Sequence, residues 1–144
     1  MSWTYTVLEK IQTELDSLDP APDVIAIVPK GQESMSPTAA STYWITLSPD
    51  GDVTSPEPGA SYLVEHTVNI GVWIKSNAKA ADIVDELSNK IADVRDLLRY
   101  NTLAGWARTE IYGDSLTGGD YTDGEDSDSV YGYLFTAVVT RQYT

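Results

Sequence analysis

The chain has 144 residues, with 22 acidic side chains against 9 basic ones, a single histidine and a formal net charge of −13. That length suits one domain around one core, and 42% hydrophobic with 22% charged residues is globular rather than disordered or fibrous composition. The charge argues against a surface that grips nucleic acid or an anionic bilayer, the absence of cysteine excludes disulfides, thiol catalysis and thiolate metal sites, and no apolar run reaches the length of a membrane span.

The opening Met1-Ser2-Trp3-Thr4-Tyr5 has neither the basic region nor the apolar core of a signal peptide, so we expect a chain made and kept in a cytoplasm, or in a particle assembled there. From Thr6 to Leu18, Val7, Leu8, Ile11, Leu15 and Leu18 fall on one side of a helix, and Thr6-Val7-Leu8-Glu9 has the spacing of a capping box. Asp19-Pro20-Ala21-Pro22 ends it, because each proline removes a donor and biases the preceding residue away from helix. Val24-Ile25-Ala26-Ile27-Val28 reads as a short buried strand.

Lys30 to Thr42, polar and small with Gly31 and Pro37, predicts a loop that is mobile unless a partner covers it. A second strand follows at Tyr43-Trp44-Ile45-Thr46-Leu47. Pro49-Asp50-Gly51 and Pro56-Glu57-Pro58-Gly59 are turn chemistry, which assigns 48–60 to a loop. From Tyr62 to Ile74 the even positions are Tyr, Val, His, Val, Ile, Val and Ile, a period of two that marks a long strand with one buried face.

Val84, Leu87, Ile91, Val94 and Leu98 then recur at helical spacing, so Lys79 to Tyr100 predicts a long amphipathic helix with Asn77 as its N-cap. Asp82, Asp85 and Glu86 early, with Arg95 and Arg99 late, complement the helix dipole. Trp106 to Tyr112 is compatible with a fourth strand. Gly113 to Ser129 reads as a solvated acidic loop, and Val130 to Tyr143 is rich in β-formers, with both faces apolar enough for a central strand. The whole predicts one α+β domain over residues 1–144, with loops at 30–42, 48–60 and 113–129. Its mixed, mostly antiparallel sheet of four to five strands has two helices packed on one face, in the order α-β-β-β-α-β-β.

Catalytic chemistry needs convergent ionisable groups, and few are available. His66, alone of its kind, sits on the apolar face of the long strand between Val64 and Val68, which predicts a hydrogen-bonded core or interface histidine rather than a zinc ligand. The aspartates of 120–128 invite a calcium reading, but they lack the spacing of an EF-hand loop. No phosphate-cradling glycine motif is present. Gly71, inside the long strand, marks a bulge or a close approach. Neither a cofactor nor a resident metal is expected.

An opening amphipathic helix, a strand at Val24 to Val28, a long strand Tyr62 to Ile74 leading into a helix Asp82 to Tyr100, and a last strand Val130 to Gln142 together resemble the tail terminator proteins of long-tailed bacteriophages, also called tail completion or tail-to-head joining proteins. The likeness covers nearly the full length. It rests on size, element order and the passage Val68-Asn69-Ile70-Gly71-Val72-Trp73-Ile74 to Asp82-Ile83-Val84-Asp85-Glu86-Leu87. The resemblance implies a non-enzymatic virion protein at the neck end of the tail. Such a protein forms a homohexameric ring that caps the tail tube, stops its polymerisation and meets the head-side connector, while DNA passes through the channel without specific binding.

Within that expectation the acidic residues Asp114, Asp120, Asp123, Glu125, Asp126 and Asp128 are candidates for a lumen-facing or partner-facing loop. Trp44, Trp73, Tyr131 and Tyr133 are candidates for exposed subunit-interface anchors, since tyrosine and tryptophan dominate interface hot spots. The acidic loop and the 30–42 loop both look longer than a minimal version of the fold requires. The alternatives are a neck, head-closure or other minor tail protein, and, in another class, a small calcium- or ligand-binding module.

Overall fold

The computed structural model describes residues 3–33, 41–76, 78–106, 108–112, 121–122 and 129–143. Its elements in chain order are α1 (Trp3–Leu15), β1 (Val24–Ile27), β2 (Tyr43–Glu57), β3 (Ser61–Ser76), α2 (Ala80–Leu98), β4 (Thr109–Tyr112), β5 (Tyr121–Thr122) and β6 (Ser129–Tyr143). The strands form one sheet in the order β1-β2-β3-β6-β4, with β5 added on β6. Only β1 runs parallel to its neighbour. The expected α+β order and mostly antiparallel sheet are therefore present, with the two-residue β5 lying inside the segment read as loop.

The strand-to-helix passage organises the core. In β3, Val68, Ile70, Val72 and Ile74 face the same way as Ile45 and Leu47 of β2 and Phe135, Ala137 and Val139 of β6, because paired residues share a face. Both helices cover this front face, α1 through Val7, Leu8, Ile11 and Leu15, and α2 through Ile83, Leu87, Ile91, Val94 and Leu98. Each fully buried aliphatic side chain contributes roughly 1.5–3 kcal/mol over its exposed state. β6 lies between β3 and β4, the interior position in the sheet expected for it.

Several local expectations are corrected. Thr6 lies inside α1, which begins at or before Trp3, so the capping box does not form there. α2 starts after Lys79, whose side chain makes no cap, and Asn77 lies outside the described residues. Val84 is 57% exposed; Ile83 takes its place in the buried stripe. β1 is a half-buried edge strand rather than a fully buried one.

The largest correction is at 48–60, where β2 continues as strand to Glu57 and only residues 58–60 turn. Between Pro49 and Asp52 the register with β3 slips by one residue, and Gly51 has φ 99°. A bulge of this kind absorbs the turn-forming residues without ending the strand. Lys75 N donates to Thr42 O, which fixes the ladder's alternation. Followed through the bulge, that alternation turns the nitrogens of both Pro49 and Pro56 to the outer edge, where a missing N–H costs no ladder bond.

Candidate interaction surfaces

The bulge in β2 also builds a polar cluster on the front face. The extra residue brings Asp52 opposite His66. Thr4 Oγ1 donates to Asp52 Oδ2 at 2.6 Å, His66 Nδ1 meets Asp52 Oδ1 at 2.8 Å, and His66 Nε2 meets the Tyr143 hydroxyl at 2.9 Å. The Asp52 carboxylate can only accept, so the ring nitrogen facing it, His66 Nδ1, carries a proton. Burial pushes the Tyr143 phenol up, opposed by the charge and hydrogen bond of Arg141 and helped by Asp52.

A carboxylate, imidazole and hydroxyl in series resemble the parts of a proton relay. Here His66 is fully buried, and the four clefts formed around Gln12, Arg95, Tyr5 and Arg108 are lined by neither Asp52, His66 nor Tyr143. The arrangement ties the start of α1, the β2–β3 hairpin and the C-terminal strand together. This is the hydrogen-bonded histidine that its place between two valines predicts.

The back face of the sheet is built differently. The Trp73 indole lies over Gly71 and Gly132, and a Cβ at either glycine would collide with it. Gly71 is thus a close-approach glycine, seated under the side chain two residues ahead. Trp73 Nε1 donates to Thr46 Oγ1 at 2.8 Å, and Thr46 Oγ1 donates to the carbonyl of Glu33 at 2.7 Å.

Glu33, only 7% exposed, clasps the loop after β1 onto this face. Its carboxylate accepts from Ser48 Oγ at 2.7 Å and from Gly31 N at 2.9 Å. Burial raises the Glu33 carboxyl, but hydrogen bonds from the Gly31 amide, Ser48, its own amide and Asn69 outweigh that and leave it below the usual range. Residues 31–33 of the loop expected to be mobile are therefore anchored; residues 34–40 lie outside the described residues. At the loop's far end Asp23 accepts from Thr42 N at 2.8 Å and Tyr43 N at 3.3 Å, and these amides lower its carboxyl.

The structure redistributes the expected interface aromatics. Trp44 and Trp73 are 0% and 2% exposed, so the expectation that they are exposed anchors is corrected: they pack on the back face of their own chain. Tyr131 and Tyr133 are half-buried along the front of β6, against the core. The structure brings Tyr133 near α2 and brings Trp73 opposite Trp44, but it does not gather the four into one patch. Asp114, Asp120, Asp123, Glu125, Asp126 and Asp128 lie outside the described residues. Among the described residues, no group of three or more histidine, cysteine or acidic side chains is arranged to hold a metal ion.

A feature that the helical pattern alone leaves hidden is a groove of about 290 Å³ between α2 and β6, lined by Ser88, Ile91, Ala92, Arg95, Asp96, Arg99 and Tyr133. Arg95 Nη2 donates to the Tyr133 hydroxyl at 3.3 Å, and its guanidinium lies 5.2 Å from the Tyr133 ring centre and 5.3 Å from that of Phe135. The signal was present in the sequence as two arginines four residues apart, on the same helix face as Ser88 and Ala92. They read there as partners of the helix dipole.

No family model matches the sequence, and no curated protein matches it. The fold is similar to that of a solved chain from the virion of a native gene transfer agent particle, at TM-score 0.57 and 15% sequence identity. The match covers 97% of this chain and 99% of that one. At that identity the likeness establishes a shared fold over essentially the whole of both chains.

Proposed function

We propose that this chain is a structural virion protein that forms a homohexameric ring, caps the tail tube, ends tail polymerisation and joins the tail to the head-side connector. The observation that carries this reading is the end-to-end likeness to a chain of the gene transfer agent virion. The resemblance of the β3-to-α2 passage to tail terminators supports the place at the neck end of the tail. A net charge of −13 fits a channel wall past which DNA slides without adhering. The segment 113–129 is the lumen-facing or tube-facing element in this reading, and Tyr131 and Tyr133 remain candidates for subunit contact.

Electron microscopy of the purified chain, with mass measurement, tests the ring. Open-centred hexamers are expected; a compact monomer that persists in the presence of tail tubes overturns the proposal. Deleting most of 113–129 is expected to spoil tail-length control or head joining while the melting transition is retained, and normal particles from that variant would remove the loop's role. A neck or head-closure protein would also come from a virion and differs in its neighbour. Crosslinking to the tube protein separates the two readings.

A further inference from the structure

Helix α2 is acidic near its start and carries two arginines, interspersed with Asp93 and Asp96, toward its end. Close to its start Asp82, Asp85 and Glu86 are exposed and surround Val84, an exposed apolar side chain. Toward its end Arg95 and Arg99 line the groove against Tyr133. Among the described residues, no ion pair engages any of these five charged side chains.

Arg95 is held in place by its stacking on Tyr133 and Phe135 and by its bond to the Tyr133 hydroxyl, while its Nε is buried without a hydrogen-bond partner. A guanidinium fixed in this way loses little rotamer freedom on meeting a carboxylate. Two like charges four residues apart on a helix repel, and an anion between them relieves that repulsion. Asp96, which also lines the groove, offsets part of the positive charge without pairing to either arginine, so the groove keeps a net positive charge from the two guanidinium groups.

We infer that the Arg95–Arg99 groove receives the acidic start of α2, around Val84 and Asp85, from a second copy of this chain. Charge complementarity favours a second copy. With 22 acidic residues against 9 basic ones, most approaches between copies bring like charges together, and a stable contact must use the few places where positive charge is unpaired. The shapes of the two patches also match in kind. Val84 flanked by carboxylates meets a groove whose arginines flank Ile91, Ala92 and the Tyr133 ring. The contact joins two different patches, so it is heterologous and propagates head to tail, closing when the rotation between copies closes. Closure into a ring rests on the function proposed above; the contact between copies does not.

The same charges also suit the helix dipole, which predicts an effect on folding stability and none on association. The test is therefore the mass of the intact chain by sedimentation and native mass spectrometry, across a salt series, for wild type, Asp85→Lys, Arg99→Glu and the two combined. Both positions are exposed, and thermal melting checks that the fold is kept. We expect an assembly in the wild type, association at least tenfold weaker in either single variant and at high salt, and recovery in the combined variant, where the pair is restored with its signs exchanged. Rings of unchanged mass in the single variants overturn this contact and leave the ring reading standing. A wild type that stays monomeric under all conditions, tail tubes included, overturns both.

Discussion

The two faces of the same sheet are held by different physics. Apart from the Asp52–His66–Tyr143 cluster at one end, the front face is apolar across β2, β3 and β6, and two helices cover it, so its stability follows the area removed from water and tolerates substitutions that preserve volume. The back face has one tryptophan seated on two glycines, a threonine passing its hydroxyl hydrogen bond to a backbone carbonyl, and a buried carboxylate holding a loop. Its stability depends on geometry and on protonation. One sheet can thus carry a forgiving surface and an exacting one, depending on what its loops and helices lay across it.

The largest effect should come from the forgiving side. Phe135→Ala removes a ring that is 1% exposed within the core that the helices cover, and about 3–5 kcal/mol of unfolding free energy should be lost in urea titration. A change below about 1 kcal/mol would mean that the front face is not a single packed core.

On the back, Gly132→Ala adds one methyl group against the Trp73 ring and should cost about 1–3 kcal/mol. Adding Trp73→Phe should recover part of that loss through a favourable coupling energy, because the smaller ring vacates the space. Simple additivity of the two would show that the tryptophan does not sit over this glycine.

Glu33→Gln should cost about 1–3 kcal/mol at neutral pH, since hydrogen bonds to a charged acceptor are lost. It also changes the acid limb. A carboxyl held lower in the folded than in the unfolded chain stabilises fully above its unfolded pKa, and that contribution disappears as pH falls through the folded value. The wild type should therefore lose stability more steeply than Glu33→Gln below about pH 4, near the unfolded glutamate pKa. Parallel acid curves would count against the clasp. The remaining slope common to both variants includes Asp23, which its neighbouring amides also depress.

The smallest effect belongs to neither face. Val84→Ser, on the exposed side of α2, should change the stability of the separated chain by no more than about 0.5 kcal/mol, read by thermal melting at high salt where contact between copies is weakened, despite its place in the apparent apolar stripe.

The periodicities of β3 and α2 are legible because each extends over many residues and repeats a single face, so β3 falls within about two residues of its expected ends. β2 is misread because Pro49, Asp50 and Gly51 are strong local turn signals. Their compatibility with a strand depends on an outward-facing nitrogen and a bulge, and both are set by the partner strand. Val84 and Ile83 are adjacent aliphatics, and a difference of 100° in helix phase decides which is buried; only the angle at which α2 meets the sheet settles it. His66 is legible as a buried, bonded histidine from its neighbours, whereas its partners Asp52 and Tyr143 are not, since they come from strands 14 and 77 residues away.

The sequence by itself determined the acidic charge, the lack of thiol chemistry, the long strand passing into the long helix, and the α+β order, because composition and local periodicity are properties of contiguous residues. Only the tertiary structure decided that Trp44 and Trp73 are buried, that Glu33 is a clasp, and that Arg95 and Arg99 line a groove. In a strand, alternate residues face opposite sides, but nothing in the alternation says whether water, a loop or another chain covers the second side. That depends on contacts between segments far apart in the chain.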